Sequence, residues 1–229
     1  MAILGLARMS VRAASRPAPP SASAGPDSSS GPDSARPHDG AVARAPEDCL
    51  GPPPGDGGDL WIFAYGSLIW DPGFPYEEAR PALLKGYHRA FCLYSMRYRG
   101  TPEKPGLVLG LDRGGACRGI AYRVAAARAP AVMAYLWERE MTLRSYHCRD
   151  VDIAVAGRTV RARTFVVDRR HPNYAGKLST DRTAEIIACA SGQRGACVSY
   201  LENTVRHLDQ LGLPDRRLHA LLAAVQARG

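Results

Sequence analysis

The sequence of 229 residues lacks any run of about eighteen apolar residues, so it contains no candidate transmembrane helix. Its six cysteines form no C-x-x-C pair and show no zinc-ligand spacing with the six histidines. The glycine patterns of P-loops, dinucleotide-binding folds and G-x-S-x-G hydrolases are also missing. We therefore expect no metal, no cofactor and no membrane association, with free thiols in a reducing, cytoplasmic location.

Lysine is scarce, because only three of the thirty basic residues are lysines. The formal net charge is nevertheless +8, a value that is compatible with nucleic-acid binding or with an anionic ligand. The basic residues are scattered among acidic ones and form no continuous run. This distribution favours an ordinary solvated surface over nucleic-acid binding, and such a surface also helps to collect an anionic substrate.

The N-terminal quarter of the chain differs in composition from the rest. Residues 1–58 are rich in Pro, Ala, Gly and Ser, and such a segment buries too little apolar surface to offset its conformational entropy. We therefore predict a disordered tail over residues 1–58 and one folded domain over residues 59–229. We expect that domain to be a monomer.

The order of apolar patterns within residues 59–229 predicts an α+β domain. Short apolar or alternating runs indicate strands first, one helix follows, and the chain ends in helices. About six short strands with few long loops are able to close into a small barrel. The predicted strands cover 60–65, 83–94, 106–112, 117–124, 146–155 and 159–168, and the predicted helices cover 130–141, 180–190, 196–211 and 215–227, the last of them capped by Asp215.

The first strand runs into the sequence Tyr65-Gly66-Ser67-Leu68. A glycine after a buried strand allows a sharp turn and a close approach of a ligand to the backbone. Successive N–H groups in such a turn form an anion-binding nest, which suits a carboxylate or a developing oxyanion. An ordinary turn is the alternative interpretation of the same pattern.

One carboxylate stands on the apolar face of the first helix. Helical spacing of three, four and seven residues places Glu140 beside Trp137, Leu136 and Met133. Burial there costs free energy and raises the pKa of a carboxyl group towards the range of a general base. The alternative is a structural ion pair with Arg139 or Arg144.

Several segments together resemble the ChaC-type γ-glutamyl cyclotransferases. The resemblance covers about residues 60–212, in the order of the family, and it rests on Phe63-Ala-Tyr-Gly-Ser-Leu-Ile-Trp-Asp71, Gly86-Tyr-His-Arg-Ala-Phe91, Arg99-Gly-Thr-Pro-Glu-Lys-Pro-Gly106, Gly119-Ile-Ala-Tyr-Arg123, Tyr135-Leu-Trp-Glu-Arg-Glu140, Pro172-Asn-Tyr-Ala-Gly176 and Ser199-Tyr-Leu201.

The resemblance implies a mixed β-barrel with packed helices and a cofactor-independent reaction. That reaction converts glutathione to 5-oxoproline and cysteinylglycine. In the family pattern Glu140 falls on the catalytic glutamate, Tyr65, Gly66, Ser67 and Leu68 fall on the γ-glutamyl-binding loop, and Tyr146 and Tyr200 fall on further tyrosines of the site.

One segment departs from the family pattern. Residues 91–98 lack the Trp-Gln-Gly and Asp-His of the animal members, which leaves the preferred leaving group open. The alternatives are therefore a cyclotransferase for other γ-glutamyl amines or amino acids, and a non-catalytic ligand-binding regulator.

Overall fold

Five strands form a closed β-barrel at the centre of the fold. The computed structural model describes residues 58–141 and 144–228, so the predicted tail lies outside the described residues except for Gly58. The strands are β1 Leu60–Ala64, β2 Glu78–Ser95, β3 Gly106–Val124, β4 Tyr146–Val155 and β5 Arg158–Val167. They follow the order β1-β3-β2-β4-β5 around the barrel, and the predicted α+β class with a small mixed barrel is confirmed.

Strand β1 closes the barrel. All five of its residues are buried, as its continuous apolar run predicts. It pairs antiparallel with β3, where Ile62 lies opposite Tyr122, and parallel with β5 through Ile62 and Arg163. Because both of its sides are paired, β1 holds the residues that follow it in a fixed position at one end of the barrel.

Two strands are longer than the sequence predicts. Strand β2 has 18 residues and β3 has 19, and β3 joins the two strands predicted at 106–112 and 117–124. Between these segments Gly114 and Gly115 have φ values of 99° and 71°, and Gly86 on the facing strand has a φ of 85°. The register shifts beside Gly86, which is the sign of a β-bulge that bends a strand without ending it. The prediction of about six short strands was therefore wrong, because these glycines mark a bend rather than a turn.

Four α-helices share one hydrophobic core with the barrel. They are α1 Ala129–Glu140, α2 Thr180–Cys189, α3 Cys197–Gln210 and α4 Arg216–Gln226, and each agrees with its predicted bounds to within one residue. The predicted cap of α4 is confirmed, because the Asp215 carboxylate accepts hydrogen bonds from the N–H groups of Arg217 and Leu218.

A short hairpin between α2 and α3 was not predicted. Its strands are β6 Ser191–Gly192 and β7 Gly195–Ala196, which pair antiparallel with each other. Strands of two residues carry no periodic signal, so only Gly195, whose φ is 89°, marks the hairpin in the sequence. The hairpin lies against the segment that follows β2.

Two further expectations concern the described residues as a set. No helix in residues 58–141 and 144–228 combines the length and the apolar character needed to cross a bilayer. The cysteines within these ranges are free thiols, as expected, and they are Cys92, Cys117, Cys148, Cys189 and Cys197.

Candidate active site

A cavity of about 240 Å³ opens beside the C-terminal end of β1. The turn after β1, the end of α1, the start of β4 and the first half of α3 contribute to its lining. Residues from the end of β2, the segment after β2, the start of β3 and β5 complete the wall. The seven residues that the sequence analysis assigned to a site all line this cavity, namely Tyr65, Gly66, Ser67, Leu68, Glu140, Tyr146 and Tyr200. Residues that are far apart in the sequence are thus brought together around one space.

Glu140 is the last residue of α1. Met133 and Leu136, on the same face of the helix, are buried in the core at 1% and 0% exposure. Their packing turns the end of this face towards the cavity, where the Glu140 side chain keeps 19% of its surface exposed. Burial raises the pKa of the Glu140 carboxyl group, while the positive charges of Arg139 and Arg194 oppose that rise. The group therefore combines access to the cavity with the protonation behaviour of an acid/base residue.

The structure contains both of the environments that the sequence left open for Glu140. Its carboxylate lines the cavity, and its Oε1 atom also lies 3.4 Å from Nε of Arg139. The ion pair is formed with Arg139 rather than with Arg144. An ion pair of this length with a guanidinium group that has other partners leaves carboxylate oxygen surface for a ligand.

Arg139 was not assigned to the site from the sequence, yet it connects α1 to the turn after β1. Its Nη2 group donates to Oγ of Ser67 at 3.2 Å, and its Nη1 group donates to the Asp71 carbonyl at 2.7 Å. Nη1 also donates to the Tyr135 hydroxyl at 2.9 Å. One guanidinium group therefore fixes the turn and the Glu140 carboxylate relative to each other.

The residues after β1 form one turn of 3₁₀ helix, Ser67–Ile69. The Ile69 N–H donates to the Gly66 carbonyl at 2.9 Å, and the Asp71 N–H donates to the Ser67 carbonyl at 3.0 Å. The N–H groups of Ser67 and Leu68 stand at the start of this turn, where no earlier turn supplies acceptors. Such N–H groups suit an anionic or carbonyl oxygen in the cavity.

Gly66 keeps space open in front of Tyr200. A Cβ atom at Gly66 would lie 3.6 Å from the Tyr200 hydroxyl oxygen, so any side chain there would occupy the cavity between the turn and α3. The absence of a side chain at Gly66 leaves the backbone of the turn accessible from the cavity.

Three tyrosines place hydroxyl groups around the Glu140 carboxylate. Burial raises the pKa of Tyr65, Tyr146 and Tyr200 above the ordinary value, and the negative charge of Glu140 raises each of them further. The Tyr146 hydroxyl donates to the carbonyl of Leu109 at 2.9 Å. All three phenols therefore remain protonated hydroxyl groups in the working pH range, and none acts as a phenolate base.

Arg99 is a second residue of the cavity wall without a role in the sequence analysis. Its guanidinium carbon lies 5.3 Å from the centre of the Tyr200 ring. Its Nη1 group donates to the carbonyls of Arg194 and Ala196, at 2.7 and 3.2 Å, which ties it to the β6–β7 hairpin. Arg99 opens one of the segments on which the family resemblance rests, but no local pattern indicated that it faces this cavity.

The residues around the cavity are poor ligands for a metal. Across the described ranges no group of three or more His, Cys, Asp or Glu side chains is arranged to hold an ion. The polar groups that line the cavity are one carboxylate, several hydroxyl groups, backbone N–H groups and guanidinium groups. These groups are suited to acid/base chemistry on a bound organic substrate.

A comparison with protein families identifies the group to which these features belong. The family model for ChaC-like proteins matches residues 60–228. The chain belongs to the ChaC-like family. The match begins at the first residue of β1, as the resemblance predicted, and it extends beyond residue 212 through α4.

Curated relatives cover most of this ChaC-like chain. It is 40% identical over 175 residues to a glutathione-specific γ-glutamylcyclotransferase of Escherichia coli, and the alignment covers 75% of this chain and 74% of that protein. It is 32% identical over 178 residues to glutathione-specific γ-glutamylcyclotransferase 1 of Mus musculus, with 75% of this chain and 80% of that protein covered.

A solved structure has the same fold as this ChaC-like chain. It is a γ-glutamyl cyclotransferase specific to glutathione from yeast, with a TM-score of 0.67 and 23% sequence identity. The superposition covers 75% of this chain and 97% of the yeast protein. The likeness therefore includes nearly the whole of the yeast fold.

Proposed function

We propose that the protein is a glutathione-specific γ-glutamyl cyclotransferase that produces 5-oxoproline and cysteinylglycine, with Glu140 as general acid/base. The names of the E. coli and mouse relatives support the substrate and the reaction. The observation that carries the proposal for the site is the Glu140 carboxylate, which is largely buried and lines the cavity next to the turn after β1.

In the proposed reaction the substrate supplies its own nucleophile. The α-amine nitrogen of the γ-glutamyl group attacks the γ-carbonyl carbon, which forms a five-membered ring. The bond between that carbon and the cysteinyl nitrogen then breaks, so atoms balance without water. Because the attack is intramolecular, binding of the folded-back conformer removes up to about 7–11 kcal/mol of the barrier.

Glu140 has two tasks in this scheme. As a carboxylate it accepts a proton from the α-ammonium group, and as a carboxylic acid it donates a proton to the departing cysteinyl nitrogen. A pKa raised by burial serves both tasks, because it makes the carboxylate a stronger base and keeps the acid form accessible. A single side chain thus completes the proton transfers of one turnover.

The turn after β1 is proposed to bind the γ-glutamyl group. The N–H groups of Ser67 and Leu68 and the Ser67 hydroxyl supply hydrogen-bond donors for its carboxylate or for the oxyanion. Arg139 holds this turn at a constant distance from Glu140 through its contacts with Ser67 and Asp71. Tyr146 and Tyr200 also line the cavity, and their hydroxyl groups are proposed to supply further polar contacts.

The test is a matched pair of glutamate variants assayed with glutathione. Glu140→Gln keeps the size of the side chain but removes the proton-transfer group, and we expect it to lower kcat by about 10²- to 10⁴-fold. Glu138→Gln is the control, because Glu138 is exposed on the same helix and lies outside the cavity wall. The readout is the release of 5-oxoproline and cysteinylglycine, together with thermal unfolding to show that both variants fold.

The same assay separates the alternative functions. Near-normal turnover by Glu140→Gln would refute its role. Activity on γ-glutamyl-alanine with none on glutathione would make the protein a cyclotransferase for other γ-glutamyl compounds. Binding of glutathione without product formation by the wild type would favour a non-catalytic binder.

The remaining expectations belong to the same proposal. We propose a monomer that works in the cytoplasm, with residues 59–229 as the catalytic domain and residues 1–58 as a disordered tail. The free thiols among the described cysteines are in keeping with a reducing compartment.

A further inference from the structure

Two arginine side chains without a carboxylate partner stand close together at the edge of the cavity. Arg99 lines the cavity wall, and Arg194 lies on the β6–β7 hairpin with its guanidinium carbon 4.5 Å from the centre of the Tyr98 ring. Within the described residues neither guanidinium group has a carboxylate within 4.0 Å. Several arginines of the barrel strands, in contrast, form ion pairs with acidic side chains, namely Arg80, Arg89, Arg123, Arg161 and Arg163. Neither guanidinium group is therefore engaged in a direct ion pair, and each can form one with a bound anion.

Backbone contacts hold the hairpin in position, in addition to the hydrogen bonds that the Arg99 side chain donates to it. The N–H groups of Gln193 and Arg194 donate to the carbonyls of Arg97 and Tyr98, both at 2.9 Å. The backbones also touch at Gly192, where a Cβ atom would lie 2.6 Å from the nitrogen of Gly100. The hairpin is therefore held firmly at the cavity edge, and it carries Arg194 with it.

The two charges affect each other and the catalytic group. Burial lowers the pKa of Arg99, and the positive charge of Arg194 lowers it further, so the two guanidinium groups repel each other. The charge of Arg194 also acts on Glu140, whose pKa it lowers. An anion between the arginines would relieve the repulsion and would lie within a short distance of the reacting group.

One side chain, Tyr200, lies between the turn after β1 and Arg99. A Cβ atom at Gly66 would lie 3.6 Å from the Tyr200 hydroxyl oxygen, and the centre of the Tyr200 ring lies 5.3 Å from the Arg99 guanidinium carbon. In glutathione the terminal carboxylate is two residues beyond the γ-carbonyl carbon, a span of at most about 7 Å. A substrate held by the turn at its γ-glutamyl end would therefore bring its other end to the arginines.

We propose that Arg99 and Arg194 form an anion subsite that binds the terminal carboxylate of the leaving dipeptide. The subsite selects γ-glutamyl peptides over γ-glutamyl amines without a negative charge, and it rests on the proposed cyclotransferase function. Guanidinium groups suit this task, because they form paired charge-assisted hydrogen bonds to a carboxylate. Arg99 directly follows residues 91–98, where the sequence departs from the animal pattern, and it would contact the leaving group.

The test compares two substrates that differ only in the charge at this end. These are glutathione and its glycinamide analogue, assayed with the full chain by 5-oxoproline release. The wild type is expected to use glutathione with a kcat/KM at least about tenfold higher. Arg194→Gln should lower the ratio of kcat/KM for glutathione to kcat/KM for the glycinamide analogue about tenfold, chiefly through the KM for glutathione.

Two controls separate recognition from structure. Arg194→Lys keeps the charge and should restore part of the preference for glutathione. Arg170→Gln removes one charge from a side chain that is 88% exposed and lies outside the cavity wall, and it should leave both substrates unaffected.

The outcomes distinguish the subsite from the function on which it rests. The anion subsite would be refuted if the wild type used both substrates equally, or if Arg194→Gln lost the same fraction of kcat/KM with both. Neither result would affect the proposed cyclotransferase function. If the wild type released 5-oxoproline from neither substrate, both the proposed function and the anion subsite would be refuted.

Discussion

Three influences determine the protonation of the Glu140 carboxyl group. Burial raises its pKa, and the positive charges of Arg139 and Arg194 lower it, with the charge of Arg139 the larger of the two. The free enzyme must hold Glu140 as a carboxylate before it accepts a proton from the substrate. The acid limb of the pH profile of kcat/KM therefore reports this pKa.

Removal of a neighbouring positive charge makes the carboxylate less stable and raises its pKa. We expect the acid limb to move to higher pH in Arg139→Gln and to move in the same direction, but less, in Arg194→Gln. Arg139→Lys keeps the charge and should restore the limb to its wild-type position, even if the lost contacts to Ser67 and Asp71 lower kcat. The measurement is kcat/KM for glutathione from pH 4 to pH 8. A limb that stays in place, or moves to lower pH, in Arg139→Gln would show that Glu140 is not the group that titrates.

Whether the role of a residue could be predicted depended on how far apart in the sequence its contact residues lie. Glu140 was found because a helix places residues three, four and seven apart on one face, so Met133 and Leu136 defined its surroundings. The contact of Arg139 with Ser67 joins residues 72 positions apart. No local pattern encodes a contact of that kind, and the role of Arg139 became visible only in the folded chain.

At the scale of elements, a buried arginine links the last helix to the turn after β1. Arg89 of β2, whose side chain is 2% exposed, donates to the carbonyl of Tyr65 and to that of Arg118. It also forms an ion pair at 2.9 Å with Asp215, the residue that caps α4. The cap of a peripheral helix thus neutralises the charge that holds the end of β1.

This link predicts a large loss of stability in Asp215→Ala. The substitution removes the helix cap, which contributes about 1 kcal/mol, and leaves the Arg89 charge buried without a partner. We expect a total loss of about 3 kcal/mol in the free energy of unfolding, measured with urea. Asp215→Asn should lose less, because asparagine also caps helices.

The matched control for this prediction is Asp152→Ala. Asp152 pairs with Arg161 at 3.1 Å, but the side chains are 64% and 39% exposed, so the loss should stay below about 1 kcal/mol. If Asp215→Ala were no less stable than this control, the Arg89 link would contribute nothing to the fold.

The elements themselves were predictable to different degrees. The helices have local end signals, such as Pro130 in the first turn of α1 and Asp215 at the cap of α4, and their predicted bounds agree with the structure. The long strands β2 and β3 were missed because Gly86, Gly114 and Gly115 permit either a turn or a bulge. Pairing with the neighbouring strand decides whether a turn or a bulge forms. That strand lies too far away in the sequence to be seen in a local pattern.

At the scale of the whole molecule, the fold class followed from the order of strands and helices, and the family match over residues 60–228 agrees with it. The closure of the barrel through the parallel pairing of β1 and β5 did not follow, because residues 62 and 163 meet only in the assembled sheet. Part of the positive charge is concentrated near Glu140, because Arg99 and Arg139 line the same cavity and the charge of Arg194 acts on the Glu140 carboxyl group. An anionic tripeptide is the kind of ligand that this distribution of charge attracts.

In the proposed reaction the α-amine of the substrate forms the new bond, and water takes no part in the bond changes. The decisive experiment is turnover of glutathione by the full chain in water enriched in ¹⁸O, with the products identified by mass spectrometry. Intramolecular cyclisation yields 5-oxoproline without the heavy isotope and an equal amount of cysteinylglycine. Glutamate that carries ¹⁸O in its γ-carboxyl group would show hydrolysis by water and would refute the cyclisation.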